Sequence, residues 1–138
     1  MIILDTNVIS EFMTSKPEES VRNWLNKQVS LSLYVSAITI AEIGYGLRAM
    51  PQGKRQRLLN DRFEQFIDLV FGTRILSFEE KAAKQYGEVM GHRKEIGRPM
   101  SVCDGQIAAI AKTTGFCVAT RNIKDFEECQ IKLINPFE

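Results

Sequence analysis

Short apolar runs alternate with longer amphipathic stretches along the whole chain. The runs Ile2–Leu4, Leu33–Val35, Arg74–Leu76, Phe116–Ala119 and Ile131–Ile134 are apolar with little alternation. That pattern predicts strands buried on both faces. Between them, apolar residues recur at helical spacing: Val21, Trp24, Leu25 and Val29; Ile40, Ile43 and Leu47; Leu59, Phe63, Phe66, Ile67 and Val70; Ala82, Ala83, Tyr86, Val89 and Met90; Ile107, Ala108 and Ala111. Strands alternating with helices predict a parallel sheet covered by helices on both sides. The stretch from the second strand to the third is long enough for two or more helices.

Composition changes this picture little. With 138 residues, 44% hydrophobic and 25% charged, the chain suits one domain, residues 1–138, that needs no covalent staples. A formal net charge of +1 provides no global pull on nucleic acid, so any such contact must rest on local patches. Cys103, Cys117 and Cys129 lie far apart, with no C-x-x-C and a single histidine, His92. This is neither a zinc pattern nor a disulfide framework, and it favours reduced thiols in the cytoplasm. No basic stretch leads into a long apolar run, so neither a signal peptide nor a membrane span is expected.

The candidate chemistry lies at the strand ends. In a parallel α/β sheet, ligands bind outside the carboxyl ends of the strands. Asp5 follows the first strand directly, with Thr6 and Asn7 behind it. Glu42 lies early in the helix after the second strand, in "SAITIAEIGYGL", and Asp104 early in the last helix, in "CDGQIAAIA". Asn122 and Asp125 follow the fourth strand, in "VATRNIKDF". Each acid also has an ordinary structural explanation. Thr39-x-x-Glu42 and Ser101-x-x-Asp104 fit the capping box, Asn122-x-x-Asp125 fits a cap, and Asp5 fits a turn. Asp104 strains that explanation, because it shares a helical face with Ile107, Ala108 and Ala111. A carboxylate on an apolar face is costly unless it is paired or binds a cation. Two carboxylates about 4 Å apart repel by about 4 kcal/mol at an effective dielectric of about 20. A convergent cluster would therefore recruit a hard cation. Oxygen ligands without His or Cys favour Mg²⁺ or Mn²⁺.

Taken together and in order, "LDTNVISE", "SAITIAEIGYGL", "CDGQIAAIA" and "VATRNIKDF" resemble the PIN-domain ribonucleases, in particular the VapC-like toxins of toxin–antitoxin pairs. The resemblance runs over nearly the whole chain. It implies a three-layer α/β/α sandwich with a central parallel sheet, and Mg²⁺- or Mn²⁺-dependent cleavage of RNA by a homodimer. It further implies a cognate antitoxin that covers the acidic pocket and carries the complex to its operator DNA. Carried over residue by residue, Asp5, Glu42 and Asp104 are the first three family acids and metal ligands. The fourth position often holds an aspartate directly after "TR", where this chain has Asn122; Asp125 is the remaining acid there. Thr6, Asn7, Thr120 and Asn122 match small polar positions that orient acids, water or phosphate.

Other features divide between surface and core. Lys54, Arg55, Arg57 and Arg62 form a basic cluster, and "HRKEIGR" a second; either offers contacts to an RNA backbone. Phe63, Phe66 and Phe71 read as core. No glycine-rich phosphate loop follows any strand, which disfavours a nucleotide-binding module. The remaining rival is a PIN-fold subunit with a degenerate site that binds protein or DNA without cleaving RNA.

Overall fold

Five strands pair in parallel in the order β3-β2-β1-β4-β5 in the computed structural model, which describes residues 1–138. They are Ile2–Leu4 (β1), Leu33–Ser36 (β2), Ile75–Leu76 (β3), Cys117–Ala119 (β4) and Leu133–Ile134 (β5). In register, Ile3 stands beside Tyr34 of β2 on one side and Val118 of β4 on the other. Successive side chains of a strand point to opposite faces. Accordingly Ile3 and Val118 join one core, and Leu4 and Ala119 the other. Both faces of the sheet are buried, which is why these runs read as continuous apolar segments.

The helices Thr6–Phe12 (α1), Glu19–Asn26 (α2), Ala37–Ala49 (α3) and Lys54–Phe66 (α4) cover one face. Val8, Ile9, Val21, Ile43, Leu47 and Phe63 pack there with Leu33 and Val35. Glu80–Glu95 (α5) and Val102–Thr114 (α6) cover the other face, where Ala82, Val89, Ile107, Ala108 and Ala111 meet Ile3 and Val118. The arrangement is the expected three-layer sandwich. No helix is long and apolar enough to cross a membrane.

Several element boundaries differ from the sequence reading. Asp5-Thr6-Asn7 is no open turn: α1 starts at Thr6, with the Asp5 carboxylate accepting the Thr6 amide. The helical stripe through Val29 stops early, since α2 ends at Asn26 and Val29 is exposed. The stripe from Leu59 to Val70 changes pitch after Phe66, where Ile67–Phe71 forms a π-helical turn closed by Gly72. The fifth strand covers only two residues of the four predicted.

Strand order places the crevice. The chain runs from β1 outward through β2 to β3, then returns to the other side of β1 for β4 and β5. The order therefore reverses between β1 and β4, and ligand crevices open at such a switch point. Asp5 directly follows β1 and Thr120 directly follows β4 at that place.

Candidate active site

The carboxylate of Asp5 anchors the crevice. One oxygen accepts the Thr6 backbone amide at 2.8 Å, and the other accepts the Thr120 hydroxyl at 2.8 Å and the Asn7 amide at 3.4 Å. Asp5 is only 5% exposed and has no cationic partner. Burial is the main force pushing its pKa up to about 6; the Thr120 and Thr6 hydrogen bonds oppose the rise, and the Asp104 and Glu42 charges add to it. Behind it, fully buried Thr120 accepts the Asn122 amide at 3.1 Å and the Asn7 side-chain amide at 3.2 Å. Asn7 in turn accepts the Arg121 backbone amide at 3.1 Å, tying the end of β4 to α1.

Glu42 is not half of a capping box. Ser36 caps α3 by accepting the Thr39 amide at 3.1 Å, one turn earlier than Thr39 would. This leaves Glu42 a full turn inside the helix, where its carboxylate accepts the Thr6 hydroxyl at 2.8 Å. Asp104 keeps part of its cap role, since its amide donates to the Ser101 hydroxyl at 3.2 Å. Its carboxyl is nevertheless half-buried and its pKa is raised. Burial is the largest cause; the Ser101 hydroxyl opposes it, Asp125 and Glu42 raise it further, and Arg93 lowers it.

These acids line one polar cleft of about 460 Å³, together with Thr6, Asn7, Asn122 and Asp125. No hydrophobic residue lines it. Asn122 makes no side-chain cap bond to the short 3₁₀ turn Ile123–Asp125, contrary to the capping alternative. All the sequence-predicted site residues thus meet at one place; Thr120 supports them from below rather than lining the cleft.

Two further charged residues, Glu11 and Arg121, belong to the cleft, and the motif reading gave them no role. Glu11 lies one helical turn past Asn7 on the same face of α1. It approaches Arg121 at 3.7 Å, while Arg121 pairs with Glu18 at 2.8 Å and lies over the Phe137 ring at 3.8 Å. Arg121 is the only cation lining the cleft, and it is turned toward Glu11 and Glu18. The positions of Asn7 and Glu11 on one face would have pointed to Glu11 had α1 been expected.

The donor set fits a hard divalent cation. It is all oxygen, and burial and the Glu42 carboxylate both push the Cys103 thiol beside it up, so no thiolate is on offer. No three His, Cys, Asp or Glu side chains stand close enough to hold a metal by themselves. Mg²⁺ takes one or two carboxylates and keeps waters, so it needs no closed protein cage.

Next to the cleft, a larger groove of about 650 Å³ starts at Thr6 and Glu42 and runs between α1, α3 and α4. Met13, Ile43, Leu47 and Leu59 give it an apolar floor, with Arg55 and Arg62 at its side. In the second basic run Arg93 is buried and its guanidinium is spent on backbone carbonyls, while His92 and Lys94 stay exposed.

Comparison with known proteins agrees with this picture. The family profile described as PIN domain matches residues 2–131. The chain is 42% identical, over all its 138 residues and 99% of the relative, to VapC ribonuclease Y4jK of Sinorhizobium fredii. It is 39% identical over 137 residues, 99% of each chain, to Toxin FitB of Neisseria gonorrhoeae. It also superposes with a TM-score of 0.93 on a chain in the structure of FitAB bound to an IR36 DNA fragment, at 39% identity, covering 100% of this chain and 96% of the other.

Proposed function

This chain belongs to the PIN-domain family, and from that premise we propose that it is a Mg²⁺- or Mn²⁺-dependent endoribonuclease, the toxin of a toxin–antitoxin pair. In this reading residues 1–138 form a single nuclease domain. Asp5, Glu42 and Asp104 hold the cation, one or two of them directly and the rest through its waters, Asp125 supports it, and Thr6, Asn7, Thr120 and Asn122 orient the acids and the substrate.

The observation that carries the reading is Asp5. A buried carboxylate pushed to a pKa of about 6, held by hydrogen-bond donors yet given no cation, is an expensive arrangement for a turn or a cap. It is the arrangement expected of a ligand that is balanced only when a cation binds. A bound Mg²⁺ or Mn²⁺ supplies the positive charge that lets phosphate approach the carboxylates, and lowers the pKa of water to yield a nucleophile. The chain's own contribution is orientation. The Thr6 amide and the Thr120 hydroxyl fix both Asp5 oxygens, the Thr6 hydroxyl fixes Glu42, and Asn7 joins the β1 and β4 ends. Water then attacks phosphorus and the bond to the 3′ oxygen breaks, leaving a 5′-phosphate and a 3′-hydroxyl.

The relatives named a ribonuclease and a toxin support the activity, and the structure of FitAB on DNA supports an antitoxin partner that carries this chain to operator DNA. The apolar groove with Arg55 and Arg62 suits partner or RNA contact beside the cleft. A second reading, a PIN-fold binding subunit that does not cleave, draws on Asn122 standing where the family often has an aspartate.

RNA cleavage by the purified chain, with Mg²⁺ or Mn²⁺ and with chelator, separates the two. Metal-dependent cleavage by the parent is expected, with loss of at least about a hundredfold in Asp104→Ala, since removing a ligand should cost no less than the roughly 10–100-fold lost with a ligand's outer-shell partner. Expression without an antitoxin should arrest bacterial growth, and the same variant should relieve it. If folded Asp104→Ala cuts at the parent rate, the cation assignment is wrong. If the parent does not cut at all, the binding-subunit reading takes over.

A further inference from the structure

Arg93 is 4% exposed, on the last turn of α5, and no carboxylate pairs with it. Its guanidinium is committed to backbone carbonyls instead. Nε donates to Arg98 O at 2.6 Å, and Nη1 donates to Asp125 O at 3.1 Å and Glu127 O at 2.7 Å. The same nitrogen lies 3.9 Å from the Cys129 sulfur. Arg98, brought back toward the site by the turn at Gly97, donates from Nη2 to Lys124 O at 3.1 Å. Two arginines from one helix end thus grip three carbonyls of a single loop.

That loop has little regular structure, a single 3₁₀ turn, and is pinned to the core by Phe126 and Cys129. Beside these anchors Glu128 and Gln130 adopt φ of 64° and 60°, left-handed backbone that non-glycine residues rarely take. Strain of this kind persists only where the surroundings over-determine the conformation. The loop also delivers Asp125 to the cleft. A buried guanidinium forks onto several acceptors at once, which a lysine ammonium cannot reproduce.

We propose that Arg93 is a positioning residue for the nuclease site: by gripping the Asp125 and Glu127 carbonyls it sets where the Asp125 carboxylate stands in the cleft. The inference rests on the reading of Asp125 as a support for the cation. The first "HRKEIGR" arginine therefore acts from behind the acids rather than on RNA.

The test is a double-mutant cycle read by Mn²⁺ binding to the metal-free chain, with amide hydrogen exchange over residues 123–129 and melting temperature alongside. Arg93→Gln and Asp125→Asn should each weaken Mn²⁺ binding by about tenfold, the lower end of the effect of outer-shell partners. The double variant should bind no worse than Asp125→Asn alone, and exchange across the loop should rise in Arg93→Gln. Arg93→Lys, which keeps the charge and loses the fork, should fall between parent and Arg93→Gln; it carries the cycle if Arg93→Gln does not fold. Multiplying losses in the double variant would overturn the proposal, because Arg93 would then act independently of Asp125. So would parent-like Mn²⁺ affinity in a variant whose loop exchanges faster. Unchanged affinity in Asp125→Asn, with affinity lost in Asp104→Asn, removes Asp125 and the role of Arg93 together while leaving the three-acid site. Unchanged affinity in both aspartate variants would remove the site reading itself.

Discussion

Asp5 shows at the scale of one residue how function costs stability. The folded chain binds the Asp5 proton more tightly than the unfolded chain, whose ordinary value is 3.8, since the folded value is about 6. The stabilisation this gives is therefore complete below about 3.8 and is lost as pH rises through about 6. At neutral pH the ionised group costs the metal-free fold about 3 kcal/mol. Asp104 is shifted in the same direction, so the two add. Metal-free protein should melt several degrees higher at pH 5.5 than at pH 7.5, other groups being equal. Asp5→Asn should reduce that difference, since the amide carries no charge to desolvate. Thermal melts of both forms at the two pH values check this; an identical pH dependence in parent and variant would clear Asp5 as the cause.

Among the elements, the pairing of α5 with α6 matters most for the site, because α6 carries Asp104 and α5 carries Arg93. The contact is close at Gly105, directly after Asp104. A Cβ there would run into the Met90 sulfur and come within 3.1 Å of the Tyr86 ring. Gly105→Ala therefore has to push α5 away or drive Met90 off its rotamer, a cost of about 1–3 kcal/mol for an overpacked core. It should lower the melting temperature by several degrees and impair cleavage by shifting Asp104 relative to Asp5. Shortening Met90 makes room, so Gly105→Ala combined with Met90→Ala should destabilise less than the sum of the two single changes. Strictly additive losses in chemical denaturation would mean that the close approach does not limit this packing.

Over the whole molecule, the sheet brings together acids from β1, α3, α6 and the loop after β4, and their mutual repulsion is a load on the unliganded fold. A ligand that binds only the folded form stabilises it; a hundredfold excess over its dissociation constant gives about 2.7 kcal/mol. Mg²⁺ or Mn²⁺ should accordingly raise the melting temperature by several degrees in the parent, and the rise should vanish in the Asp5→Ala/Asp104→Ala double variant. Equal shifts in the two proteins would mark the ions as nonspecific.

The pattern of the chain determined a good deal by itself. Runs buried on both faces have no polar side to display, so Ile2–Leu4 and Phe116–Ala119 announced a covered parallel sheet, and acids next to such runs had to lie at its carboxyl edge. Asp104 was legible because a carboxylate on the apolar face with Ile107 and Ala108 breaks the helix's own pattern. What the chain could not disclose were choices between local options of similar energy. Ser36 outcompeted Thr39 as the cap of α3, and that register alone frees Glu42 to meet the Thr6 hydroxyl 36 residues away. α1 is a seven-residue helix, too short for periodicity to reveal, so Glu11 went unrecognised. Arg93 read as one more surface cation because sequence patterns record charge, whereas its role depends on carbonyls more than 30 residues distant that only the packing of α5 against the β4–β5 loop brings within reach.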